Sequence, residues 1–117
     1  MSDRLDYKTS SGNIFKDLDL PNSEERLAKA KLAAKIVDLT KHKGLTQKQI
    51  AVVLGIDQPK ISDLYRGRLS GFSIPRLIKF LNFLEQDVEI LIKDKANRTE
   101  HHGHLSVISD EPIQISK

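Results

Sequence analysis

Residues 46–68 read TQKQIAVVLGIDQPKISDLYRGR, and the punctuation of this stretch decides the fold. Thr46 can accept a backbone N–H at a helix start, which predicts a helix of about two turns over 47–54. Gly55 can take the positive backbone angle that closes it. Asp57 offers the next cap, and Pro59 falls in the first turn of a further helix, 58–66, where its missing N–H would have had no helical partner anyway. Gly67 ends that helix. Ala51 is small where the two helices approach, and Ile50, Leu54, Ile56, Ile61 and Leu64 supply the apolar contacts that set the angle between them. They are expected to form the platform rather than to contact a ligand.

Upstream, Asn22 or Ser23 can cap a helix with Glu24 and Glu25 near its positive dipole end. Leu32, Ile36 and Leu39 fall at i, i+4 and i+7, Ala28, Ala33 and Val37 widen the stripe, and Gly44 stops it after about His42. Before it, residues 1–22 hold Ser10, Ser11, Gly12 and Asn13 in a row and read as an irregular arm. Downstream, Ser73 caps a fourth helix with Pro75 in its first turn and Leu77, Ile78, Leu81 and Leu84 as its stripe. Phe80 and Phe83 exceed what one buried face needs. Val88, Ile90 and Ile92 then alternate with Glu89, Leu91 and Lys93, which predicts a short strand in need of a partner. Residues 94–117 form a polar tail, expected to be partly disordered. Weak alternation at Leu105, Val107, Ile113 and Ile115 leaves two outcomes open for its later half, pairing with that strand or staying disordered.

The 117 residues carry 19 basic and 16 acidic side chains, a net charge of +3 that is unevenly spread. Residues 24–93 hold thirteen Lys or Arg against eight acids, whereas residues 1–23 and 94–117 each carry a net −1. Within the middle, residues 41–79 set Lys41, Lys43, Lys48, Lys60, Arg66, Arg68, Arg76 and Lys79 against Asp57 and Asp63. A polyanion would feel that local +6.

Other classes of function fare worse. With no Cys, there is neither a disulfide framework nor a thiolate metal site, which fits a reducing cytosol. No run approaches the roughly 18 consecutive apolar residues a membrane span needs, and residues 1–19 lack the apolar core of a signal peptide. A cytoplasmic location is expected. His101, His102 and His104 lie in a polar tail with only Asp94 and Glu100 nearby, so we assign no metal and no cofactor. There is no HExxH, no phosphate-binding Gly loop and no triad-like arrangement, so no enzyme is expected.

With its two short helices around a tight turn, residues 46–68 have the form of a helix-turn-helix. Residues 24–84 resemble the lambda-repressor-like, XRE-type family of DNA-binding domains. The flanking SSGNIFKDLDLP (10–21) and VEILIK (88–93) resemble the HigA-type antitoxin branch, whose members neutralise an mRNA-cleaving toxin and repress their own operon. The resemblance implies an all-α fold of four to five helices with a short C-terminal β-strand. Residues 1–22 would be the arm, 23–93 the domain and 94–117 the tail.

By this resemblance helix 58–66 enters the major groove. Gln58 would pair bidentately with adenine, Lys60 would donate to guanine, Asp63 would accept from cytosine and Pro59 would offer apolar contact to a thymine methyl. Gln47 matches the family position that touches phosphate and braces the first residue of the recognition helix. Thr46, Ser62, Tyr65, Arg66 and Arg68 would hold phosphates and orient the protein without reading sequence. The expected partners are operator DNA, a second copy in a homodimer formed through the fourth helix and the 88–93 strand, and a small toxin held by residues 5–23. The competing reading is a protein-interaction module that keeps the fold without binding DNA.

Overall fold

The computed structural model describes residues 22–94 and 103–110. Among them are four helices: α1 (Asn22–His42), α2 (Gln47–Leu54), α3 (Gln58–Tyr65) and α4 (Ile74–Phe83). The arm at 1–22 lies outside the described residues except for Asn22, as do His101 and His102. The fold is all-α, as the sequence predicts.

Each short helix starts where its sequence says. Thr46 Oγ1 accepts from Gln49 N at 3.1 Å while Gln49 Oε1 accepts from Thr46 N at 2.9 Å, a reciprocal capping box. Asp57 caps α3 by accepting from Lys60 N, and Ser73 caps α4 by accepting from Arg76 N, both at 3.2 Å. At the turn, Gly55 (φ 72°) lets its own N–H and that of Ile56 reach Ala51 O at 2.8 and 3.1 Å.

α1 packs on α3 and α4, and α2 packs on α3 and α4. Ile36, Ile50, Ile61 and Leu77 are wholly inaccessible at the centre, with Leu32, Leu54, Leu64, Phe72, Phe80 and Leu84 around them. Burying one such side chain stabilises the fold by about 1.5–3 kcal/mol, so this cluster outweighs the intrinsic preference of two eight-residue helices, too short to persist alone. The two phenylalanines of α4 divide: Phe80 is buried and Phe83 is half-exposed.

The C-terminal strand expected at 88–93 is not formed. Val88 leans on the core, but Ile90, Leu91 and Ile92 are 75 %, 75 % and 89 % exposed, and no strand occurs among the described residues. The alternation is real; what fails is the ladder, because a strand needs an adjacent backbone to bond and, among the described residues, none bonds this one. Residues 103–110 form neither helix nor strand. Leu105 and Val107 pack against the core, Leu105 N donates to Glu24 Oε2 at 2.8 Å, and His104 Nδ1 lies 3.2 Å from the same oxygen. This segment therefore docks at the start of α1.

Candidate nucleic-acid interface

Because Ile61 and Leu64 are committed to the core, the remaining faces of α3 look outward. Gln58 and Pro59, at its N-terminal end, are exposed, whereas Lys60, Ser62 and Asp63 are half-buried and Arg66, Gly67 and Arg68 follow exposed. The sequence-predicted readers thus share one short helix whose N-terminal tip is open.

Two of the charged readers have partners. Lys60 Nζ sits 5.3 Å from the centre of the Phe72 ring, and a Cβ added at Gly71 would come within 3.0 Å of that ammonium. Asp63 Oδ1 lies 3.8 Å from an Arg68 guanidinium nitrogen, and the Asp63 carbonyl accepts the Arg68 N–H at 2.8 Å. Neither contact is strong. A cation over an aromatic face at a solvated site contributes about 0.5–1 kcal/mol and an exposed ion pair about 0.2–1 kcal/mol, below the roughly 1–3 kcal/mol of a good bidentate base contact. A base can therefore outcompete both.

Of the residues expected to hold phosphates, Arg66 and Arg68 are exposed, while Thr46 spends its side-chain oxygen on the capping box. Gln47 and Gln58 are both exposed and, among the described residues, no hydrogen bond joins them. Tyr65 faces the other way. Its hydroxyl lies 2.5 Å from Oγ1 of the fully buried Thr40, whose own proton goes to Val37 O at 2.8 Å. Tyr65 must then donate to Thr40, and a phosphate oxygen, which needs a donor, finds none there.

The structure adds Arg76. Its guanidinium is 5.6 Å from the centres of both the Phe72 and Phe80 rings, which meet edge-on at 6.0 Å, and it shares the Phe72 ring with Lys60. The basic run 41–79 contained the signal, but only the fold shows that a residue of α4 stands beside one of α3.

This arrangement has known counterparts. The family model for a helix-turn-helix domain matches residues 14–93. A solved structure described as an XRE family transcriptional regulator is 42 % identical in sequence, with a TM-score of 0.69; the match covers 76 % of this chain and 99 % of that one. Among curated proteins, none matches the sequence.

Proposed function

Since the chain belongs to the XRE-type helix-turn-helix family and is thereby a DNA-binding transcriptional regulator, we propose that it represses its own operon as the homodimeric antitoxin of a toxin–antitoxin pair. The observation that carries the DNA-reading part is the open N-terminal tip of α3, where Gln58 and Pro59 are exposed ahead of Lys60, with Arg66 and Arg68 exposed just past the other end of the helix and Arg76 sharing the Phe72 ring with Lys60. In this reading Gln58, Lys60 and Asp63 contact bases and Pro59 a methyl group, with Gln47 bracing Gln58. Arg66, Arg68, Arg76, Ser62 and Thr46 contact the backbone. The antitoxin part rests on the flanking sequences SSGNIFKDLDLP and VEILIK, with the toxin held by residues 5–23.

Anisotropy of labelled DNA from upstream of the gene tests the first part. A binder making several phosphate contacts loses affinity steeply between about 50 and 200 mM salt; a flat or absent response favours the protein-interaction module. Co-expression with the neighbouring reading frame tests the second, because failure to co-purify with a small protein from that locus removes the antitoxin role and leaves the regulator.

A further inference from the structure

The backbone at Gly71 does not call for glycine. Gly44, Gly55 and Gly67 each hold a positive φ, which favours a residue without a Cβ, whereas Gly71 does not. Space is the other reason to omit a side chain. Among the described glycines Gly71 alone has an atom close to where a Cβ would stand, and that atom is Lys60 Nζ at 3.0 Å. Glycine loses more conformational freedom on folding than any other residue, and the room it leaves here is taken by this lysine.

An aromatic ring holds the lysine there. Lys60 is half-buried although its neighbours Gln58 and Pro59 are exposed, and its ammonium lies over the ring of the buried Phe72, 5.3 Å from the centre. The Arg76 guanidinium shares that ring at 5.6 Å. Among the described residues no carboxylate pairs with either cation, so the ring is what fixes the end of the Lys60 side chain. A contact of this kind favours the folded-back lysine by a factor of about two to five. A good bidentate base contact is worth roughly five- to a hundredfold. The ring is thus weak enough to yield to a well-placed guanine and strong enough to keep the lysine from a poor acceptor.

We infer that Phe72 and Gly71 are positioning residues for DNA reading: they hold Lys60 folded back in the free protein and on DNA lacking its acceptor, release it to the operator, and so set how much its base pair contributes to affinity. The inference rests on the base contact proposed above for Lys60 and adds to it two residues that act through that side chain.

Proton NMR of the free protein should show the ε-methylene of Lys60 upfield of the other lysines, because the adjoining ammonium lies over an aromatic face. Operator DNA should abolish that displacement, whereas random DNA should leave it. No displacement in the free protein, or the same response to both DNAs, overturns the inference. Gly71→Val provides the binding arm, since its added carbons take the place of the ammonium at an exposed position and leave the core intact. It should abolish the displacement and raise operator affinity about two- to fivefold. In the Lys60→Ala background the same substitution should bring no such gain, and comparing the two backgrounds cancels any effect of the valine itself on DNA. Phe72→Leu, which removes the ring and keeps an apolar side chain, should give the same Lys60-dependent gain. If Gly71→Val acts alike in both backgrounds while Lys60→Ala still weakens operator binding, the inference fails and Lys60 remains a reader. If Lys60→Ala binds operator and random DNA as wild type does, the base contact itself is absent and the inference falls with it.

Discussion

The hydroxyl of Tyr65 donates to Oγ1 of Thr40 across 2.5 Å, tying the end of α3 to α1 through the one buried polar residue among those described. Tyr65→Phe removes the donor and leaves the Thr40 to Val37 bond intact, so the fold should lose about 0.5–1.5 kcal/mol. Urea denaturation reads this directly. A variant as stable as wild type that has lost affinity for DNA of every sequence would return Tyr65 to the phosphate contacts.

Gln58 and Arg66 should separate reading from holding. Gln58→Ala should lose about 1–3 kcal/mol on one operator and little on random DNA, whereas Arg66→Ala should weaken both alike and lower the salt slope by about 1. Paired titrations on the two DNAs at several salt concentrations check it, and equal losses for both variants on both DNAs refute the division.

Arg76 should behave as Arg66 does, although it belongs to α4. Arg76→Ala is expected to reduce affinity for all sequences and to lower the salt slope by about 1. The fold should be little changed, since a cation over an aromatic ring at an exposed site contributes about 0.5–1 kcal/mol. An unchanged salt slope would confine Arg76 to covering Phe72 and Phe80.

Glu85 is the single described residue other than glycine with a positive φ, at 67°. It occupies the position after α4 that Gly44, Gly55 and Gly67 occupy after α1, α2 and α3, and the same closing bond runs from Gln86 N to Leu81 O at 3.0 Å. A side chain there costs roughly 1–2 kcal/mol, and the exposed Glu85 to Lys43 pair at 3.9 Å recovers less than about 1 kcal/mol. Glu85→Gly should therefore raise stability by about 0.5–1 kcal/mol, visible as a higher urea midpoint at constant slope.

Glu24 holds Leu105 in place. Glu24→Ala should free residues 103–110 while leaving the helices formed, so the Leu105 amide should exchange its hydrogen at least tenfold faster and amides of α3 should be little changed. Uniform acceleration throughout the helices would mean that Glu24 supports the core as well.

Local chemistry made most of this domain legible in its sequence. Thr46, Asp57, Ser73 and Gly55 act within four residues of themselves, so their roles can be read along the chain, and the stripe of α1 follows from the helical period. Contacts between distant positions could not be read that way. Thr40 looks like any polar residue until α3 brings Tyr65 to it from 25 positions away; Lys60 looks like an unencumbered reader until Phe72 lies beneath it. The 88–93 alternation was visible, but whether such a segment becomes a strand depends on a second backbone, and the described residues do not supply one.

The Glu24 to Leu105 bond spans 81 positions, whereas α2, its turn and α3 lie within nineteen consecutive residues. Closing a long loop costs more chain entropy than closing a short one, and structures rich in near neighbours assemble faster. In refolding, the helices should collapse first as a fast phase and the C-terminal segment should settle onto them afterwards. On a ribosome, moreover, the recognition helix is complete before residue 105 has left the tunnel.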